Sequence, residues 1–176
     1  QLAGAYAVFA NGGYKISPTL VTRIARANGE VVYEAPAQVL TEEQRVVPER
    51  NTFLVNTLLQ EVTRSGTAAR AQATLKRPDL YGKTGTTNDM VDAWFAGFQP
   101  NLVAVVWVGY DTPRTLGSRA FGSTLALPAW MDFMAVALKN VPVQEVQPPE
   151  GVTRSGSEWR YSEWTWGGFI TELGMD

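Results

Sequence analysis

The sequence predicts an α+β fold: an antiparallel β-sheet flanked by helices on both faces, incomplete within these 176 residues. Three observations point there. Strand-like runs at about Tyr81 to Thr86, Ala93 to Phe98 and Leu102 to Tyr110 follow one another closely. The turn Gln99-Pro100-Asn101 is short enough that the last two must pair antiparallel. The run Leu102 to Tyr110 is apolar on both faces, which predicts a central strand covered on both sides. Only these three strands and about three helices are available for the core, so exposed apolar surface is expected.

The elements follow in order. Leu2, Tyr6 and Phe9 share one face of an amphipathic helix that stops at Asn11-Gly12-Gly13. Val21 to Ile24 and Val31 to Tyr33 flank Asn28-Gly29, a dipeptide suited to a tight hairpin turn. A second helix starts near Pro48, with Leu54, Leu58 and Val62 on its expected buried face and Gly66 at its end. Ala68 to Arg77 is weakly patterned and predicts a loop. After the strands, Leu127, Trp130, Met134 and Leu138 form one stripe of a helix over about Ser123 to Asn140, with Pro128 in its first turns. Val141 to Gly151 holds three prolines and reads as an extended linker. In the tail, Trp159-Tyr161 and Trp164-Trp166 alternate, which favours a short half-buried strand over a sugar-stacking or membrane-facing surface.

Composition removes whole classes of chemistry. A net charge of -2 gives no electrostatic reason to expect nucleic acid as a partner. The absence of cysteine excludes disulfides, thiol nucleophiles and thiolate metal sites. The absence of histidine removes Ser-His-Asp and Cys-His designs and nearly every zinc hydrolase, so neither a metal nor a cofactor is expected. Acid-base work falls to Lys, Asp, Glu or Tyr. No apolar run approaches the roughly 20 residues that span a bilayer. The chain opens at Gln1 inside an apparent helix, and reads as an interior or C-terminal portion of a longer protein.

The chemically dense stretch is Tyr81-Gly82-Lys83-Thr84-Gly85-Thr86-Thr87-Asn88. It sets a cation and several hydroxyls at the start of a strand. Lys83 with the hydroxyls of Thr84 and Thr86 would make a compact receptor for a terminal carboxylate. Gly85 lacks a Cβ, so a substrate backbone could lie close to the strand edge. The N–H of Thr86 would serve as an oxyanion donor. A Lys-Thr-Gly triplet alone is weak, and its context decides the case.

That context is specific. Ala5-Tyr6-Ala7-Val8-Phe9-Ala10-Asn11-Gly12-Gly13, Gly82 to Asn88, Asp92-Ala93-Trp94-Phe95-Ala96-Gly97-Phe98 and Val106-Trp107-Val108-Gly109-Tyr110-Asp111 occur in one order. Together they resemble the transpeptidase domain of class A penicillin-binding proteins, particularly the 1A type, over about residues 1–150. The resemblance implies the penicillin-binding/β-lactamase-like transpeptidase fold. It also implies a D,D-transpeptidase that cross-links peptidoglycan stem peptides through an acyl-serine intermediate and is acylated by β-lactam antibiotics. Lys83 and Thr86 would be catalytic, and Thr84, Gly85, Thr86, Thr87 and Asn88 would bind substrate. Residues 1–145 would be the C-terminal portion of that domain, and 146–176 a Pro-containing linker and aromatic tail. The expected location is the extracytoplasmic, periplasmic face of the inner membrane, with an anchoring segment outside this chain.

Two family motifs are missing. The residues three before Lys15, Lys76, Lys83 and Lys139 are Gly12, Ala73, Leu80 and Val136, so no Ser-x-x-Lys exists. No asparagine has Ser two positions earlier, so Ser-x-Asn is absent too. The expected partner is therefore the N-terminal half of the same domain, carrying the nucleophilic serine, and this chain alone is expected to be inactive. Two rivals share the motif. One is a D,D-carboxypeptidase or serine β-lactamase, with water as acceptor. The other is a non-enzymatic module that binds β-lactams or peptides. Elsewhere, Asp89 and Asp92 read as solvated turn residues in preference to an acid-base pair. Thr41-Glu42-Glu43-Gln44 reads as a capping box, and Arg64, Arg70 and Arg77 as solvated loop or rim residues.

Overall fold

The computed structural model describes residues 1–164. Helix α1 (Leu2–Ala10) leads into a hairpin of β1 (Arg23–Ala25) and β2 (Val31–Glu34). Helices α2 (Glu49–Arg64) and α3 (Arg70–Leu75) precede β3 (Tyr81–Thr86), β4 (Ala93–Gln99) and β5 (Leu102–Val108). Then come α4 (Leu127–Ala137) and a second hairpin, β6 (Val152–Ser155) with β7 (Glu158–Tyr161). The order β3-β4-β5 makes one antiparallel sheet, with Thr84 opposite Phe95 and Phe95 opposite Val106.

Helices cover both faces, and the strand period shows how. Phe95 and Phe98 lie three residues apart on β4 and so project to opposite sides. The Phe95 ring meets Trp130 of α4 edge-on at 4.9 Å, while Phe98 meets Tyr6 of α1 at 6.5 Å. Trp130, Leu127 and Met134 are buried on the predicted stripe of α4, and the indole N–H of Trp130 donates to the Ala104 carbonyl at 3.1 Å. The facing pair Gly82 and Gly97 is glycine for want of space. A Cβ on Gly97 would lie 2.7 Å from the Phe95 ring and 3.0 Å from that of Trp130.

Several expectations change. The strand at 102–108 is at the sheet's edge among the described residues, and β4 is the central, buried strand. The expected face of α2 is met only in part: Leu54 and Val62 are half-buried, with Val62 packed against the core, but Leu58 is 68% exposed, and the fully buried residues are Thr52, Phe53, Asn56 and Thr63. The reason is that this face bonds to neighbouring backbone. Asn56 Nδ2 donates to the Phe9 carbonyl at 2.9 Å, and the Thr63 hydroxyl to that of Leu80 at 2.5 Å. Polar residues facing backbone acceptors are invisible to a hydrophobic stripe.

The segment 68–77 contains the short helix α3, seated by the fully buried Ala68 and Ala71. Helix α4 starts at Leu127 with Pro128 in its first turn, and a wider turn at Gly122–Ala126 precedes it. Residues 141–149 form no regular element, yet Arg77 Nη1 holds the Val141 carbonyl at 2.6 Å. In the tail, Trp159 packs edge-on against Phe53 at 5.1 Å and the Tyr161 hydroxyl bonds to Asn51 at 3.0 Å. These two aromatics pack on the body as expected. Trp164 lies in a short turn, and Trp166 and Phe169 lie outside the described residues.

Candidate active site

Strand alternation places Lys83 and Gly85 on the α1 side of β3, and Thr84 and Thr86 on the α4 side. That should split the proposed carboxylate receptor in two. The long lysine side chain closes the gap. Lys83 Nζ donates to the Thr84 carbonyl at 2.9 Å and lies 3.4 Å from Thr84 Oγ1. Lys83 is exposed, and no carboxylate pairs with it among the described residues. Its charge is thus available to an anionic ligand.

A third hydroxyl joins from outside the motif. Thr67 Oγ1 lies 2.9 Å from Thr84 Oγ1. Thr67 sits in the tight connection from α2 to α3, drawn against β3 by the Thr63 to Leu80 bond and by the buried Ala68. Sequence reasoning missed it because nothing local marks it; only the closure of α2 onto β3 brings it near.

Thr86 is positioned by the turn ahead of α4. Its hydroxyl accepts the Gly122 N–H at 3.0 Å, which leaves the hydroxyl's own proton free to donate to a ligand. A Cβ on Gly122 would run into the carbonyls of Gly85 and Trp94, so this approach needs glycine. A Cβ on Gly85 would sit 3.2 Å from the Trp94 Cβ, a tight contact that gives Gly85 an internal packing reason as well.

Thr87 and Asn88 follow at the strand's end. The Thr87 N–H donates to the Asp92 carbonyl at 3.1 Å, and the Asp92 N–H donates to Thr87 Oγ1 at 2.7 Å. The Asn88 side chain is exposed and has no partner among the described residues. Asp89 is exposed, whereas Asp92 Oδ1 accepts the Trp107 indole N–H at 2.8 Å. The two aspartates are thus a turn residue and an anchored acceptor, and no acid-base pair. The Thr41–Gln44 box forms as read, with Gln44 Oε1 accepting the Thr41 N–H at 3.0 Å.

Of the three arginines read as solvated, Arg64 and Arg70 are exposed, but the Arg77 side chain is only 12% exposed. Arg64 pairs with Glu61, and Arg77 binds Asp79. Behind the strand, burial and then the Asp79 charge push the Tyr81 hydroxyl up to about 12, so it stays neutral. A cleft of about 470 Å³ lies between α2, residues 144–148 and Trp159, but Lys83, Thr84 and Thr86 do not line it.

Comparison with known proteins decides the family. Residues 1–135 match the penicillin binding protein transpeptidase domain. The chain belongs to the penicillin-binding protein transpeptidase family. Its relatives are of the class A, 1A type. It is 42% identical over 159 residues to penicillin-binding protein 1A of Neisseria flavescens, covering 90% of this chain and 20% of that protein. It is 37% identical over 198 residues to penicillin-binding protein 1A of Pseudomonas aeruginosa, covering 86% of this chain and 24% of that protein. The chain therefore spans about a fifth to a quarter of the length of these relatives.

The crystal structure of penicillin-binding protein 1A from Haemophilus influenzae superposes with a TM-score of 0.81 at 29% identity, covering 91% of this chain and 31% of that one. The D,D-transpeptidase domain of a peptidoglycan glycosyltransferase from Eggerthella lenta superposes at 0.57 and 26% identity, covering 80% and 32%. The α+β penicillin-binding transpeptidase fold follows from these likenesses. No helix among the described residues is long and apolar enough to cross a membrane.

Proposed function

We propose that this chain forms the Lys-Thr-Gly-Thr wall of a D,D-transpeptidase active site, completed by a serine that this sequence does not supply. The observation that carries the reading is the cluster of Lys83 Nζ, Thr84 Oγ1 and Thr67 Oγ1, an ammonium with no carboxylate partner among the described residues beside two hydroxyls at the edge of β3. A peptide's terminal carboxylate fits that chemistry. With the carboxylate at Lys83, Thr84 and Thr86, the penultimate carbonyl falls beside the Thr86 N–H.

The serine oxygen then attacks that carbonyl carbon, and the Thr86 N–H stabilises the oxyanion. The C–N bond breaks, the terminal D-Ala leaves with a proton, and an acyl-serine ester remains. An amine of a neighbouring stem peptide attacks the ester and releases the serine, making the cross-link. A β-lactam carboxylate would occupy the same receptor while its ring carbonyl acylates the serine.

The nucleophile would come from the preceding half of the same domain. Two features support a covering partner of that kind. α1 is built of apolar residues, none of which is buried. The outer edge of β5 has no partner among the described residues. Cross-linking of stem peptides takes place outside the cytoplasm, and the location proposed for it is the periplasmic face of the inner membrane, with an anchoring segment elsewhere in the parent protein.

Fluorescent-penicillin labelling of the full-length parent and of this chain, with intact mass for each band, tests the reading. The parent should be labelled at a serine outside these residues, and this chain alone should not. A label on this chain would overturn the assignment of the nucleophile. With a stem-peptide substrate, cross-linked dimers support transpeptidation, while trimmed monomers alone would favour the hydrolase reading.

A further inference from the structure

The turn after β3 is held in a conformation that its sequence does not favour. Asp89 and Met90 are consecutive non-glycine residues with φ of 57° and 53°. Left-handed backbone at a side-chain-bearing residue costs of order 1–3 kcal/mol and persists only where its surroundings enforce it. Here they do. The Thr87 N–H and hydroxyl bond to the backbone of Asp92, and the Met90 N–H donates to the Thr87 carbonyl at 3.2 Å. The Leu116 N–H donates to the Met90 carbonyl at 2.8 Å. Asp92 is fixed in turn by the Trp107 indole N–H on β5, and Trp107 packs against Trp94 at 6.0 Å.

What this arrangement displays is Asn88, an exposed carboxamide with no partner among the described residues. On the reading proposed above, the donor's carboxylate lies by Thr84 and its scissile carbonyl by Thr86. The donor peptide then runs antiparallel to β3. At about 3.4 Å per residue, the residue before the scissile pair passes Thr86 towards Thr87 and Asn88.

We propose that the turn from Thr87 to Asp92 is a specificity element for that third residue of the donor. Asn88 meets the residue, and Asp92 with Trp107 are positioning residues that hold the turn. An amide there can donate to or accept from a polar side chain, so the preferred third residue carries a hydrogen-bonding group.

The inference rests on the transpeptidase reading, and its test is made on the full-length parent protein. Asp92→Ala and Trp107→Phe each break the anchor, while Asp92→Asn keeps a carbonyl oxygen for Trp107. Two donors are compared: a peptide thioester retaining the third residue, and a truncated acyl-D-Ala thioester lacking it. The breaking variants should lower kcat/KM for the longer donor about tenfold, the scale of one lost hydrogen bond. The truncated donor should change less than about twofold, and Asp92→Asn should restore the longer donor's rate. Equal losses on both donors would mean a merely structural role, and no loss on either would mean no role. Either result overturns the proposal. If the unaltered protein neither turned over a donor nor bound penicillin, the transpeptidase reading would fail first, and this proposal with it.

Discussion

Arg77 and Asp79 face each other across Pro78 through two bonds, Nε to Oδ1 at 3.0 Å and Nη2 to Oδ2 at 2.7 Å. Asp79 also accepts from Gln99 Nε2 at 3.1 Å and from the Gln144 N–H at 3.0 Å. Arg77 spans to the carbonyls of Val141 and Pro142. One pair thus ties the entry of β3 to the end of β4 and to the segment after α4. Its side chains are 12% and 1% exposed, so the charges are largely out of water. Asp79→Ala would strand the guanidinium and several donors. A loss of about 3–5 kcal/mol is expected, read as a lower denaturation midpoint of the full-length protein.

The same carboxylate predicts a pH dependence. Burial works against its charge, but the bonds from Arg77, the Gln144 N–H and Gln99 outweigh this and hold its carboxyl below the usual range. A depressed folded value binds the proton less readily than the unfolded chain. The stabilisation is therefore complete above the ordinary carboxylate value of about 4 and is lost as pH falls through the lower folded one. Asp79→Asn should lower stability at neutral pH and flatten the acid limb below about pH 4. An acid limb of unchanged slope in that variant would assign the acid sensitivity to other carboxylates.

Trp159 should matter for stability and leave the reaction alone. It meets Phe53 of α2 edge-on, while Tyr161 bonds to Asn51 and Arg50 pairs with Glu163 at 2.9 Å. The hairpin β6–β7 is held to α2 by these contacts. Trp159 is only half-buried, so Trp159→Ala should cost about 2 kcal/mol, less than the 3–5 typical of a core aromatic. The melting temperature should fall while the penicillin acylation rate stays within about twofold of the parent's.

The parts of this fold that were legible in the sequence are those with a local signal. The stripe Leu127, Trp130, Met134 and Leu138 is buried as the 3.6-residue period requires, and the turn at Gln99-Pro100-Asn101 does join antiparallel strands. The failures are tertiary. The inward face of α2 buries Asn56 and Thr63 because the carbonyls of Phe9 and Leu80 wait there, and no hydrophobic period encodes that. Thr67 is the same kind of case. The motif at Lys83 names β3 as a candidate wall, but the hydroxyl that completes the cluster lies 17 positions from Thr84 and meets it only in space.

That contact sets the most direct test of the site. The hydroxyls of Thr67 and Thr84 are 2.9 Å apart, close enough for one to donate to the other. If Thr67 donates, the Thr84 proton points to the ligand, and the carboxylate receptor is oriented by a residue that need not touch the ligand itself. Thr67→Val removes that donor at nearly constant volume. KM for a carboxylate-bearing donor should rise about fivefold with kcat little changed, the effect of one neutral hydrogen bond. A methyl ester of the same donor offers no anion to orient towards, so its KM should hardly move. Thr84→Val removes a bond to a charged group and should cost more, about 1.5–3 kcal/mol. Because both act through one contact, adding Thr67→Val to Thr84→Val should cost little further. Additive losses in that double variant would show that Thr67 serves the fold of the α2–α3 connection and not the receptor.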